Sequence, residues 1–233
     1  MVLLPGGGAT STVWFANVAT LARHYRVFAI DPMGEPGRSL VGRKPIRTVD
    51  DLMSWLDQVL DTLEVTRTSA VGHGYGATVA LAYALDRPQR IATLVLLDPP
   101  SIFAGMRPAY LLHAVPQLVR PTRERMRSLI RWETQNAPLD ADWLELTERG
   151  ADFPSAKPVV PRRPKADRWA TLSADVTVVF AAESKVHNSS HAAHTVEKVL
   201  PHAHTVILTG CSHHMLPMLP AGELDAVLLS ALG

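Results

Sequence analysis

Val71-Gly72-His73-Gly74-Tyr75-Gly76 follows the run Thr68-Ser69-Ala70 and opens the helix-forming run Ala77-Thr78-Val79-Ala80-Leu81-Ala82-Tyr83. It reads as a strand, a sharp turn and a helix. Glycines two residues either side of a central position are what a strained strand-to-helix elbow needs, because side chains there would collide with the neighbouring strand and helix. The central position is itself a glycine, Gly74, so the frame of the turn is present while its middle carries no reactive atom.

Upstream, the short apolar strand Val2-Leu3-Leu4 runs into Pro5-Gly6-Gly7-Gly8-Ala9-Thr10, a loop whose main-chain N–H groups can line an anion pocket. Trp14, Val18, Leu21 and Ala22 recur at helical spacing. Tyr25-Arg26-Val27-Phe28-Ala29-Ile30 reads as a buried strand closed by Asp31-Pro32. The loop Met33-Gly34-Glu35-Pro36-Gly37-Arg38-Ser39 follows. Thr48 with Asp51 three residues on resembles a capping box, and Leu52, Trp55, Leu56, Val59, Leu60 and Leu63 form one apolar face, which predicts a helix over 49–63.

Downstream, 91–97 is a continuous apolar run ending in Asp98-Pro99-Pro100, as a parallel strand buried on both faces should be. From there to about 165 the chain is rich in Pro and Arg, with helical stretches at 110–119 and 122–134 and no strand pattern. Strand, helix, strand and helix then resume at 176–180, 189–200, 205–208 and 221–232. The alternation predicts an α/β architecture with a parallel sheet and right-handed crossovers, ligands sitting at the carboxyl ends of the strands. The core takes residues 1–99 and 166–233, and 100–165 forms a helical cap over the sheet's carboxyl edge. No internal repeat or low-complexity tract is present.

Across 233 residues the formal net charge is +1 with the basic residues scattered, which argues against a nucleic-acid or membrane footprint and for a small-molecule partner. A single cysteine, Cys211, excludes an intramolecular disulfide and a cysteine zinc cluster. The start has no basic leader segment and no run reaches the ~18 apolar residues of a spanning helix, so a cytoplasmic protein is expected. No nucleotide loop, zinc pattern or flavin motif calls for a cofactor.

Four stretches together resemble the α/β-hydrolase fold family: Leu4-Pro5-Gly6-Gly7-Gly8 with Trp14, Asp31 to Ser39, the elbow Gly72 to Gly76, and Gly210-Cys211-Ser212-His213 with Pro220 and Leu224 downstream. The likeness covers nearly the whole chain apart from the cap. It implies a site of oxyanion hole, nucleophile, acid and histidine. Carried over, it puts the oxyanion donors at the N–H groups of Gly7 and Tyr75, the histidine at His213 and the nucleophile at Gly74, where family members usually have serine. The usual acid position falls on or near Lys185, so the acid is expected instead at Asp98, at the end of the strand after the elbow. Glu183 and Asn188 are weaker alternatives. Family members usually carry two strands before the one at Val2. Here the sheet is either smaller or entered late, and its bare edge needs a partner or the cap, which leaves a homo-oligomer open.

Gly8, His73, His214 and Trp132 complete the expected pocket, with Phe103, Tyr110, Leu111 and Trp143 either lining it or forming the cap's own core. His187, His191 and His194 have metal-like spacing. Ala192, Val196 and Val199 mark the buried side of that helix, however, which puts His191 and His194 on the wet face, so no metal is expected. Cys211 belongs to the histidine's own loop and is expected to be inert. Three functions fit. The first is an esterase-like enzyme on a small, largely apolar ester, with its serine replaced by Gly74. The second is a lyase, cyclase or dehydratase using His213 as acid or base beside the N–H groups. The third is a ligand-binding protein that keeps only the pocket.

Overall fold

The computed structural model describes residues 1–40 and 45–233. Six strands, β1 (Val2–Leu4), β2 (Phe28–Ala29), β3 (Thr68–His73), β4 (Ile91–Leu97), β5 (Asp175–Ala181) and β6 (His204–Leu208), form one sheet in the order β2-β1-β3-β4-β5-β6. Every pairing is parallel. Successive side chains of a strand face opposite sides of a sheet, and the core divides accordingly. Ala70, Leu94, Leu96, Val178 and Phe180 pack against one set of helices, while Leu3, Val71, Val95, Leu97 and Val179 pack against the other.

On the first face lie α2 (Val49–Thr62), α3 (Tyr75–Asp86) and α7 (Ser189–Val199); on the second lie α1 (Val18–Leu21) and α8 (Ala221–Leu232). Thr48 and Asp51 cap α2 reciprocally, as the spacing of the two residues implied. Between β4 and β5 the chain forms three α-helices, α4 (Pro108–Val119), α5 (Arg123–Glu133) and α6 (Ala141–Gly150), a short 3₁₀ helix at Ala166–Thr171, and no strand. Their packing sends Ile130 and Trp143 into the second core layer.

The run 25–30 departs from expectation. Only Phe28 and Ala29 pair as a strand, and they are half-buried and exposed respectively. The apolar run from Val27 to Ile30 suits a strand flanked on both sides, but β2 is the edge of this sheet and has β1 alone as a neighbour. Phe103, open between the pocket wall and the cap's own core, is buried in the first core layer, where it stacks on Trp169 at 5.7 Å and meets Phe180 edge-on at 6.3 Å. Trp143 is likewise buried in the core.

Candidate active site

The elbow brings the site together. Gly74 follows β3 with φ of +52° and ψ of −116°, a backbone state that side chains rarely adopt, and the chain turns there directly into α3. A β-carbon on Gly72 or Gly76 would come within 3.0 Å of backbone, of Gly76 itself in the first case and of Leu4 and Pro5 in the second. The turn can therefore be made only with glycine at both places. Tyr75 heads α3, so its N–H belongs to the first-turn donors that a helix leaves without an internal acceptor. Gly7 lies against it: a β-carbon on Gly7 would stand 3.5 Å from Tyr75 Cβ.

Across from the elbow stands His213, on the loop after β6, with its side chain 9% exposed. A β-carbon at position 74 would lie 3.1 Å from both Cε1 and Nε2 of this ring, so the imidazole faces the place where a nucleophile's side chain would begin. The space between them is narrower than a serine needs. Nδ1 is 2.7 Å from Asp98 Oδ2. Because a carboxylate only accepts, the proton sits on Nδ1 and Nε2 presents a lone pair toward Gly74.

Asp98 follows β4 with φ of +45° and is fully buried. Besides His213 it accepts from His187 Nε2 at 3.0 Å, Ser184 Oγ at 2.7 Å and the Ala181 N–H at 3.3 Å. Burial alone would raise its pKa, but the hydrogen bonds from His187 and His213 outweigh it and hold the carboxyl well below the usual range. It is therefore ionised at neutral pH. Glu183 and Asn188, the weaker acid candidates, are exposed, and Asn188 caps α7 through the His191 N–H. Lys185 turns away from Asp98: its ammonium bonds the Trp132 carbonyl and lies 4.5 Å from the Trp132 ring centre.

His73 sits behind the elbow, buried, with Nε2 donating to the His213 carbonyl at 2.9 Å. Burial, helped by the neighbouring His213 and His214, pushes its pKa well below the ordinary imidazole value, so it stays neutral and braces the loop. Gly8 has φ of +72° and its N–H is taken by Glu35 Oε2 at 2.8 Å. Glu35 is buried and its pKa is raised by that burial against the opposing Gly8 hydrogen bond. Asp31 ties the same two loops together through the Ser11 N–H at 2.6 Å and the Arg38 N–H at 2.8 Å. Trp132, expected in the pocket, is stacked on His113 at 3.8 Å. Cys211 is buried, its thiol pushed up to about 12 by desolvation, which leaves it no thiolate to react with.

Three residues of the site were missed in the sequence. Glu133, at the last turn of α5, is fully buried and binds the histidine loop. It stands in an Arg-rich stretch that reads as a solvated face. His187 and Ser184 both serve Asp98, and only the Ser-x-x-His spacing before α7 could have flagged them. His191 and His194 are exposed on α7 while His187 is buried, so the three do not converge. Among the described residues no cluster of three or more His, Cys, Asp or Glu side chains is arranged to hold a metal, and no helix is long and apolar enough to cross a membrane.

Comparison with known proteins points one way. A model described as "Alpha/beta hydrolase family" matches residues 1–226. The uncharacterised carboxylesterase nap of Bacillus subtilis is 29% identical over 103 residues, covering 44% of this chain and 34% of that protein. A putative carbamate hydrolase RutD of Variovorax paradoxus is 36% identical over 99 residues, covering 42% of this chain and 37% of that protein. The matched stretch thus spans about a third of these relatives' length. The crystal structure of carboxylesterase CesB (YbfK) from Bacillus subtilis superposes with a TM-score of 0.90 at 21% identity, over 99% of this chain and 82% of that one. That of naproxen esterase from the same organism gives 0.88 at 18%, over 98% and 82%.

Proposed function

Because the chain belongs to the alpha/beta hydrolase family, we propose that it acts on a small, largely apolar ester-like molecule through His213 and Asp98, with Gly74 at the nucleophile position and no acyl-enzyme formed. The observation that carries this reading is the aim of His213, whose Nε2 looks at position 74 while Nδ1 is held 2.7 Å from an ionised carboxylate. In this reading the helices of 100–165 are the cap, and the Gly7 and Tyr75 N–H groups are the oxyanion hole. Water beside Nε2 gives its proton to His213 as its oxygen attacks the ester carbonyl, and the carbonyl electron pair moves onto the oxygen facing the two N–H groups. As the adduct collapses, the imidazolium returns that proton to the leaving alkoxide, and Asp98 stabilises the transient charge.

The lost hydroxyl sets the scale. Removing the serine of a triad costs about 10⁶ in kcat and leaves roughly 10³ to 10⁴ over water from binding and the oxyanion hole. With p-nitrophenyl acetate, the protein is expected to show trace turnover that His213→Ala lowers by at least about 10²-fold, the loss of a general base, down to the floor set by binding and the oxyanion hole, and Gly74→Ser should raise it by at least about 10²-fold. Ordinary enzyme rates without a serine, or a residual rate indifferent to His213→Ala, would sink the proposal. One observation favours a second reading, a binding protein: the imidazole already crowds position 74. Tight binding of an apolar ester, unchanged in His213→Ala and with no turnover, would install it.

A further inference from the structure

We infer that Glu133 is a positioning residue: reaching out of the three-helix segment, it sets the histidine loop against Asp98, so that the aim of His213 depends on where α5 sits. The inference rests on the reading of His213 as the site's base. Glu133 is the last residue of α5 and has no exposed surface. Its Oε1 accepts the His213 N–H at 2.9 Å and its Oε2 accepts the His214 N–H at 3.1 Å, the Ser212 hydroxyl at 2.7 Å and His214 Nδ1 at 3.1 Å. Three consecutive residues of the loop thus hang on one carboxylate from another part of the chain.

The charges agree with that role. Burial alone would raise the Glu133 pKa, but the His214 side-chain and main-chain hydrogen bonds and the nearby His213 bring it down to about 2, so the acceptor is ionised at every working pH. The donors on it are N–H or O–H groups, and those of Ser212 and His213, both buried, would be left without a partner if the carboxylate withdrew, at a cost per group that side-chain packing does not replace. The other side of the loop is fixed independently by His73 on the His213 carbonyl. His213 is therefore held by its own main chain from both directions, once by the core and once by α5. The same helix reaches the opposite wall of the site, where a β-carbon on Gly8 would stand 3.6 Å from the Met126 methyl carbon. One helix thus touches both the Gly-rich loop and the histidine loop.

Glu133→Gln is the variant that tests this, because an amide can accept on one side only and turns an NH₂ toward donors on the other. Its control is Glu148→Gln, which breaks the Arg127 pair inside the same segment without touching the loop. The first readout needs no turnover: the proton resonance of His213 Nδ1–H on Asp98, followed by NMR in the Gly74 protein. We expect it to shift and exchange at least tenfold faster in Glu133→Gln and to stay unchanged in Glu148→Gln, although both lose thermal stability. The second readout uses Gly74→Ser: adding Glu133→Gln should lower kcat at least tenfold with KM within twofold. Should Glu133→Gln not fold, Ser212→Ala, which removes one of the bonds, is expected to give the same change in smaller size. An unchanged His213 resonance in folded Glu133→Gln, or in its stand-in Ser212→Ala, overturns the inference. If Gly74→Ser has no esterase activity, the reading of the site fails while the resonance still decides the role of Glu133.

Discussion

A serine at position 74 would meet two difficulties that glycine avoids. The backbone φ of +52° is strained for any residue with a β-carbon, and that carbon would stand 3.1 Å from the His213 ring, which must retreat by a few tenths of an ångström. Residues held in such states cost on the order of 1–3 kcal/mol each. Gly74→Ser and Gly74→Ala are therefore expected to lose stability by about that amount in urea denaturation, with Ser alone gaining esterase activity. A serine variant as stable as the parent would remove the strain argument. His73 gives a second prediction at this scale. Its folded pKa lies well below that of the unfolded imidazole, near 6.5. The stability it contributes is complete above that value and is lost as pH falls below it, because only the unfolded chain then takes up the proton. Each such proton is worth about 1.4 kcal/mol per pH unit. Between pH 6 and 5, His73→Gln should flatten the stability curve by about one proton, measured by urea unfolding at each pH.

At the scale of elements, the elbow was legible because its glycines answer to sterics that act within a few residues. Gly72 meets Gly76, and Gly76 meets the β1 end, whatever the rest of the chain does. Gly76→Ala is accordingly expected to yield little soluble protein, and recovery at parental level with a parental melting curve would contradict the close approach. The strand 25–30 was misread because its burial depends on what lies beyond it, and a sequence window cannot see a missing neighbour. Glu133 escaped for a related reason: its partners are about 80 residues away, and five arginines precede it from Arg120 onward. Asp98 and His213, by contrast, stood at strand ends where the family resemblance put the acid and the histidine, and they lie 2.7 Å apart. The half-exposed edge at Phe28 and Ala29 carries its own liability, since unpaired strand edges recruit other chains. Ala29→Lys is expected to lower aggregation on concentration, followed by light scattering, without changing the melting temperature.

For the whole molecule, the buried carboxylates set the response to acid. Asp98 and Glu133 are both held below their ordinary values, Glu133 at about 2. Their contribution is fully present above the unfolded values near 4 and disappears as pH falls toward 2, so unfolding should steepen across that window. Circular dichroism along an acid titration should show Glu133→Gln less stable than the parent at pH 7 and converging with it by pH 2. A constant difference would mean that Glu133 does not titrate with folding. The order of strands carries a different consequence, one of time rather than energy. From β3 to β6 the strands lie in space in the order in which they are synthesised, each pairing with its predecessor. A chain emerging at about 5–20 residues per second can add each strand to an edge already built. The sheet can thus be laid down on the ribosome without waiting for a later strand to intervene, and the two halves of the site, Gly74 and His213, come together only when the last of it has been made.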